Sequence, residues 1–327
     1  MDAVPVQLSP RLVRYALHVA VVAACYHLGA RLGLLQALVN DQVTPLWPPT
    51  GVAVLALVLG GLRMWPGVAL GAFTVNSTLG DFGATLLITA GNTLGPVVAY
   101  LLLKKAGFRQ EMDRTRDALA LVLLAGFVGM AVSATVGSTS LLVTGAIDGG
   151  LFWSTWTVWW TGDVLGVLVF VPIVLVFREL RPRARSVRWW LEAGGLVACT
   201  VLVLTVATTH NLRVMYLVFP LLIWAALRFQ HLGTAPCALI ATTLAARGAA
   251  RGTGPFADLE LVVRMVTLQA FNATAVLTAL MLSAVIAERN AARDAVERTV
   301  AQLTDVVSQY QPLVLGNLLP PKPPEQR

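Results

Sequence analysis

The sequence predicts an all-α, polytopic bundle of transmembrane helices, and three observations lead to that prediction. Hydrophobic residues make up 57% of the 327 residues, and charged residues make up only 13%. The mean hydropathy is +0.72. A soluble domain carries about 25% charged residues because its surface faces water, so the composition excludes a soluble enzyme.

Ten apolar segments are candidates to cross a bilayer, which takes about 20 residues of helix. In order they are 15–30, 42–62, 65–80, 82–103, 118–147, 151–177, 193–212, 214–227, 229–246 and 265–287. If the short pairs around Arg63 and Arg228 merge or re-enter the membrane, the count falls to eight. Eight to ten spans are therefore expected. Both counts are even, so both termini lie on the same side.

The positions of the basic residues predict which side that is. In the ten-span assignment, alternate loops hold most of the 24 Lys and Arg residues. The opposite loops and the spans keep Arg31, Arg213, Arg247, Arg251 and Arg264. Loops rich in Lys and Arg stay in the cytoplasm, so we expect cytoplasmic N- and C-termini. The net charge of +7 fits an anionic lipid bilayer as partner, not a nucleic acid.

Asp163 is the most conspicuous polar residue inside a predicted span. Ionisable groups in a bilayer are costly and mark functional sites. Arg264 or Arg228 would supply the counter-charge, and a structural ion pair is then the alternative to a ligand site. Trp159 and Trp160 precede Asp163 in a row of Trp residues at helical spacing. This row either lines a pocket beside Asp163 or forms an aromatic belt at the membrane interface.

Close helix packing is expected around the same residues. The pairs Gly91/Gly95 and Gly162/Gly166 have GxxxG spacing, which lets helix backbones approach, and Asn92 or Asp163 directly follows the first Gly of each. A buried carboxamide and carboxylate there would form a polar centre.

The segment Trp47-Pro48-Pro49 interrupts the second apolar run, because each proline removes an amide donor. It is either a broken helix that binds a small ligand or an ordinary turn outside the membrane. On the last span, Gln269 and Asn272 are expected to hydrogen-bond across helices. The four His residues have no ligand spacing and no catalytic motif is present, so we expect no metal, no cofactor and no enzymatic activity.

Beyond the last span the chain becomes charged, and apolar residues then recur at heptad spacing. They are Val296, Val300, Leu303, Val307 and Tyr310. This spacing is typical of a coiled-coil seam, and a solvated amphipathic helix is the alternative. We therefore expect a membrane domain over 1–287, a cytoplasmic signalling helix over 288–311 that supports a homodimer, and a Pro-rich disordered tail over 312–327.

Several short motifs together resemble the membrane-associated sensor domain of the MASE family, type one, over roughly residues 12–290. They are Leu46-Trp47-Pro48-Pro49-Thr50-Gly51, Trp65-Pro66-Gly67 with Gly71-Ala72-Phe73 and Asn76, Gly91-Asn92-Thr93-Leu94, Ser133-Ala134-Thr135-Val136-Gly137, Trp159-Trp160-x-Gly162-Asp163-x-x-Gly166 with Pro172, Ala226-Leu227-Arg228-Phe229, Gly254-Pro255-Phe256, Leu268-Gln269-x-Phe271 and Glu288-Arg289. Each motif is weakly specific, and their collinear order carries the resemblance. The chain departs from the family pattern at Gly95-Pro96, and no output domain follows the spans, which suggests a stand-alone or truncated sensor.

The resemblance implies a multi-pass sensory module of a bacterial inner membrane. Such modules precede histidine kinases of two-component systems, diguanylate cyclases or serine phosphatases. We expect the bundle to sense an unknown small-molecule ligand or a membrane partner, and to signal through its last helix to a separate cytoplasmic kinase, cyclase or phosphatase. A membrane transporter or substrate-binding membrane component is the alternative. The candidate sensing residues are Asp163, Trp159, Trp160, Asn92, Trp47, Pro48, Pro49, Asn76, Arg228, Arg264, Gln269 and Asn272.

Overall fold

The structure, a computed structural model, describes residues 9–35, 44–78, 82–178, 186–210 and 214–318, without the side chains of 307–318. Every regular element in these ranges is a helix. The helices are α1 Pro10–Leu34, α2 Pro48–Gly60, α3 Trp65–Asn76, α4 Phe82–Lys105, α5 Thr115–Leu119, α6 Met130–Val143, α7 Phe152–Arg178, α8 Val187–Thr209, α9 Val218–Phe229, α10 His231–Arg251 and α11 Leu261–Leu318. A π-helical stretch, Ala120–Gly129, joins α5 to α6. The predicted all-α bundle is confirmed.

Six helices in the described ranges are long and apolar enough to cross a membrane. They are Pro10–Leu34, Phe82–Lys105, Thr115–Val143, Gly149–Arg178, Val187–Thr209 and Leu261–Val306. The other apolar segments fold as helices too, but α2 has 13 residues and α3 has 12, fewer than the roughly 20 that a full crossing needs. The chain is therefore polytopic, and a count of eight to ten stays a prediction.

Tight turns connect two pairs of consecutive helices. Gly61, at φ 77°, and a single 3₁₀ turn join α2 to α3. Gln230, at φ 52°, joins α9 to α10. A positive φ favours Gly because it has no Cβ, so the backbone at Gln230 is held by its surroundings. These are the two pairs that the sequence placed around Arg63 and Arg228.

Helix α7 is the centre of the bundle. It packs against α2, α6, α10 and α11. Within its apolar 18-residue stretch, 72% is buried, compared with 28% in the corresponding stretches of the peripheral helices α1 and α8. Each residue from Thr161 to Val169 is buried. A polar residue in that stretch therefore meets only protein, and Asp163 is such a residue.

One end of the bundle collects the basic segments. There the hydroxyl of Tyr15 donates to the carbonyl of Arg63 over 2.9 Å, and Arg178 donates to Gln110 Oε1 over 2.9 Å. Glu288 of α11 reaches the same end, because its Oε1 accepts from the amide of Thr115 over 2.9 Å. The start of α1 and the point where α11 leaves the bundle thus lie at one end. We call it the basic end, and the side of the membrane that it faces stays a prediction.

Helix α11 continues past the bundle as a single helix. Every side chain described from residue 288 to 306 is exposed, and the signalling role expected from residue 288 stays a prediction. The helix is described as far as Leu318, and the start of the Pro-rich tail at residue 312 stays a prediction, with residues 319–327 outside the described part. The division at residue 287 stays a prediction.

Candidate functional site

Asp163 is fully buried and forms one hydrogen bond that links α7 to α2. The hydroxyl Oγ1 of Thr50 donates to Oδ1 of Asp163 over 2.5 Å, and Asp163 is 0% exposed. The second oxygen, Oδ2, has no hydrogen-bond partner among the described residues. A buried acceptor left unpaired costs about 1–3 kcal/mol. One oxygen of this carboxylate is therefore bonded to α2, and the other has no hydrogen bond of normal geometry in the described chain.

Glycines bring the start of α2 against α7. The amide of Trp47 donates to the carbonyl of Gly162 over 3.0 Å. A Cβ at Gly166 would collide with the carbonyl oxygen of Trp47, and one at Gly51 would collide with that of Gly166. Only glycine allows backbones to approach this closely. The predicted packing role of Gly162 and Gly166 follows directly from these contacts.

The two prolines mark the beginning of a buried helix. Pro48 and Pro49 occupy the first positions of α2 and are buried. A helix leaves its first amides without internal partners, so prolines at its start lose no hydrogen bond. The interruption in the sequence is thus a helix N-terminus inside the protein, not an exposed turn. Asp163 lies at this first turn, where the helix dipole favours a negative charge.

Further polar side chains surround the carboxylate. Tyr26 of α1 lies beside Trp47 and Asn92 and within electrostatic range of Asp163. Its buried hydroxyl has no hydrogen bond of normal geometry within the described chain. Ser133 of α6 lies beside Asp163. We refer to this group as the polar centre. Its members are Tyr26, Trp47, Thr50, Asn92, Ser133 and Asp163, each at most 8% exposed.

The carboxamide predicted near Asp163 does belong to this group. Asn92 is 5% exposed, and Ser133 Oγ donates to its Oδ1 over a long 3.4 Å. A Cβ at Gly95, one turn further along α4, would lie 2.7 Å from the Cβ of Ser133. The Gly91/Gly95 pair thus lets α6 approach α4 at the level of Asn92.

Reasoning from the sequence missed Tyr26, Thr50 and Ser133 as site residues. Thr50 and Ser133 stand inside motifs that were noted, but nothing in those motifs shows that their hydroxyls face Asp163. For Tyr26 a signal exists: Gly29 and Gly33 follow it with GxxxG spacing. A Cβ at Gly33 would lie 2.9 Å from the ring of Trp47, so this pair brings α1 to the start of α2.

The Trp row fastens α7 to its neighbours. Trp156 and Trp160 stack with their ring centroids 5.5 Å apart. The indole N–H of Trp160 donates to the carbonyl of Phe127 and that of Trp156 to Thr135 Oγ1, each over 3.0 Å. Trp159 lies against Gly137, whose added Cβ would lie 2.5 Å from its ring. Two of the indole N–H groups are thus bonded to the helix Thr115–Val143, and a ligand role for Trp159 and Trp160 stays a prediction.

Asn76 bonds within the α3–α4 pair. Its Nδ2 donates to Thr89 Oγ1 over 3.3 Å, and its carbonyl accepts from Thr85 over 3.2 Å. The side chain and the backbone carbonyl of Asn76 are thus both bonded to α4. No hydrogen bond in the described chain joins Asn76 to Asp163, so its role as a sensing residue stays a prediction.

The counter-charge expected for Asp163 is not where the sequence placed it. Arg228 pairs with Glu192 over 2.9 Å at the basic end. Arg264 donates to the carbonyl of Leu259 over 2.9 Å and lies against Gly252. Both arginines are engaged elsewhere, so neither supplies the counter-charge, and the expectation is wrong. Each arginine instead bonds to a group close to it in the fold, Arg228 to Glu192 and Arg264 to the carbonyl of Leu259.

A second buried polar pair lies on α11. Gln269 and Asn272 are 3% and 0% exposed, and their four side-chain N and O atoms have no partner among the described residues. The hydroxyls of Thr234 and Ser283, 2.9 Å apart, fix the register of α10 against α11. The predicted bonds across helices do not form from Gln269 and Asn272. No group of three or more His, Cys, Asp and Glu side chains in the described part is placed to hold a metal ion.

Comparison with known proteins gives a family for this arrangement. The model of the MASE1 family matches residues 18–290. The chain is 27% identical over 211 residues to the probable diguanylate cyclase DgcE of Escherichia coli (strain K12), an alignment that covers 59% of this chain and 18% of that protein. The chain thus spans less than a fifth of that relative's length. No solved structure matches it. Since the family match covers most of the chain, this chain belongs to the MASE1 family of membrane sensor domains.

Proposed function

We propose that this membrane sensor domain detects a small polar ligand, or a membrane partner, at the polar centre. One observation carries the proposal: Asp163 Oδ2 and the hydroxyl of Tyr26 are both buried, and neither forms a hydrogen bond of normal geometry in the described chain. The two groups are close enough to interact electrostatically. One is an acceptor and the other can donate, so a ligand with one donor and one acceptor would satisfy both.

Pairing these two buried groups would make a favourable contribution to the free energy of ligand binding. Each unpaired buried group costs about 1–3 kcal/mol, and a ligand that pairs both recovers that cost on binding. The interior also strengthens hydrogen bonds to a charged acceptor. A ligand that carries a cationic or strongly donating group therefore suits Asp163 best.

The signal would leave the polar centre through α7. Helix α7 carries Asp163 and packs directly against α11. A ligand that changes the distance between Thr50 and Asp163 shifts α7 relative to α2, and α11 moves with α7. We propose that α11 transmits this movement past the basic end, which faces the cytoplasm according to the distribution of Lys and Arg.

The receiving part of α11 has the form of a dimer seam. Val296, Val300 and Leu303 are 63%, 56% and 59% exposed, and they recur at intervals of four and three residues on a helix that has left the bundle. A second copy would cover these side chains. We propose a homodimer that controls a cytoplasmic output and whose membrane part has no catalytic activity of its own. The relative's name, probable diguanylate cyclase, supports a cyclase as that output, and a kinase or phosphatase is the other class.

Thermal unfolding of the purified domain tests the ligand proposal. A panel of amines, amino acids and sugars is added to the wild-type protein and to Asp163→Asn. We expect a compound that raises the Tm of the wild type and leaves the variant unchanged. A compound that stabilises both proteins equally would place its site elsewhere.

Uptake separates sensing from transport. A sensor binds its stabilising compound without moving it, so proteoliposomes that contain the domain should accumulate no more labelled compound than empty liposomes. Accumulation above that background would support the transporter instead.

A further inference from the structure

A positively charged cavity opens at the basic end, outside the polar centre. Its volume is about 690 Å³, and it lies between α1, α2 and the last residue of α7. Four arginines line it: Arg11, Arg14, Arg63 and Arg178. None of the four forms an ion pair within the described residues, and no acidic residue is among those that line the cavity. Within the described part of the chain, the cavity thus concentrates positive charge without an acidic partner.

The wall beyond the arginines is apolar. Val21, Val22 and Leu59 line that part of the cavity. Arg14 and Val21 are separated by seven residues of α1, which corresponds to about 10 Å along the helix axis. A cationic mouth above an apolar wall of this depth suits a molecule with an anionic head and a hydrocarbon tail.

The cavity is also open to the side that contacts lipid. Helix α1 is peripheral, and Leu17, Val21 and Leu28 on its outer face are 62%, 52% and 65% exposed. On a membrane-spanning helix, such side chains lie against acyl chains. Val21 belongs both to this face and to the cavity wall, so an acyl chain can enter from the bilayer. A purely water-soluble ligand has no use for that opening.

We propose that this cavity binds an anionic phospholipid. Its phosphate lies among the arginine side chains, and one acyl chain follows Val21 and Leu59. Charge-assisted bonds between guanidinium groups and phosphate are among the stronger hydrogen bonds in proteins. The site does not depend on the polar centre or on the function proposed above.

A lipid there also contacts the connection between the helices. Arg178 donates to Gln110 Oε1 over 2.9 Å, and Gln110 Nε2 donates to the carbonyl of Val58 over 3.1 Å. These bonds tie the end of α7 to the end of α2. A bound phosphate beside Arg178 therefore adds to the contact between the two helices that also carry Asp163 and Thr50.

Native mass spectrometry of the full chain, released from detergent micelles, tests the proposal. The probes are phosphatidylglycerol, phosphatidylcholine and the soluble headgroup fragment glycerol phosphate. The test variant is Arg11→Gln/Arg14→Gln, because neither side chain forms a hydrogen bond in the described structure. The control is Arg116→Gln/Arg188→Gln, which removes the same charge from exposed positions outside the cavity.

We expect the wild type to retain phosphatidylglycerol in preference to phosphatidylcholine. Each arginine near a membrane surface attracts an anionic lipid, so the loss of two should lower phosphatidylglycerol retention about tenfold or more. The control pair should change phosphatidylglycerol retention less than about threefold. Glycerol phosphate should bind far more weakly than the lipid because it lacks the acyl chain.

Three results would overturn the proposal. An equal loss of phosphatidylglycerol retention in the test and control variants would show that the lipid is attracted by the overall basic surface and not by this cavity. Equal retention of both lipids by the wild type would show that the headgroup is not recognised. Binding of glycerol phosphate as tight as that of the lipid would assign the cavity to a soluble phosphate compound. The comparison of the three probes on the wild type decides the proposal even if the test variant fails to fold.

Discussion

Thr50 Oγ1 donates to Asp163 Oδ1 over 2.5 Å, and this bond joins two residues that are 113 positions apart in the sequence. It connects the first turn of a short buried helix to the middle of the central helix. Around it, the carbonyls and glycines of α2 and α7 touch without intervening side chains. The relationship explains why the WPPTG and WWxGD motifs occur in one chain: each forms half of a single contact.

The first prediction concerns that bond. Thr50→Val keeps the shape of the side chain and removes the donor, which leaves both oxygens of Asp163 unpaired. We expect the free energy of unfolding to fall by about 1–3 kcal/mol. Thr50→Ser keeps the hydroxyl and should cost much less. The measurement is thermal or denaturant unfolding in detergent, and equal stability of the Val and Ser variants would contradict the importance of this donor.

The second prediction concerns the approach of α2 to α7. Gly166→Ala places a Cβ against the carbonyl oxygen of Trp47, and neither backbone can move away cheaply. We expect a lower Tm and a smaller monodisperse fraction on size-exclusion chromatography. Gly194→Ala on α8 is the control, since an added Cβ there meets nothing within 4 Å, and alanine stabilises a helix by about 1 kcal/mol relative to glycine. The two changes should therefore have opposite signs, and the same sign would argue against the contact.

The third prediction concerns the point where α11 leaves the bundle. Glu288 accepts from the backbone amide of Thr115 over 2.9 Å and lies 3.4 Å from its hydroxyl, so it caps the start of α5. Glu288→Ala should uncouple α11 from the bundle and reduce the response of a fused reporter, with little change in the Tm of the membrane part. Glu297→Ala breaks an exposed pair with Arg293 on the same helix and is the matched control. A full response from Glu288→Ala would show that the cap is not needed for transmission.

The fourth prediction concerns the exposed seam of α11. Val300→Asp places a charge among apolar side chains that a partner would bury, and the homodimer should dissociate. Gln302→Asp introduces the same charge on another face of the helix and should leave the dimer intact. Light scattering of the purified protein measures the mass. If Val300→Asp has the mass of the wild type, or if the wild type is a monomer, the seam does not form the dimer.

The sequence predicted the elements of this structure better than the contacts between them. Charge-free runs mark helices because the bilayer imposes a length and a composition on each span. The described residues of each of the ten predicted apolar segments are accordingly mostly helical. Asp163, Asn92 and Trp47 were also found, since polar or helix-breaking residues stand out against an apolar background. Their convergence in one buried group agrees with the polar centre expected from the glycine pairs.

The partners of those residues could not be read from the sequence. Spacing shows which face of its own helix a residue occupies, but not which helix lies opposite. Arg228 was assigned to Asp163 by charge alone, whereas Glu192, near the start of α8, lies 2.9 Å from Arg228 near the end of α9. Tyr26 was overlooked because the glycine pair that follows it, Gly29 and Gly33, predicts close packing of α1 but not the helix against which it packs. Only the order of the helices around α7 brings the hydroxyl of Tyr26 within electrostatic range of Asp163.

The central claim is that the carboxylate of Asp163 senses the ligand and does more than hold α2 in place. Asp163→Asn separates these roles, because an amide oxygen can still accept from Thr50 while the unpaired acceptor Oδ2 becomes an amide that donates.

The decisive measurement is the output of a reporter enzyme fused after α11, compared between the wild type and Asp163→Asn at equal membrane insertion and equal Tm. The account predicts that the variant loses the response to a stabilising compound. A response equal to that of the wild type would contradict it and leave Asp163 as a structural residue.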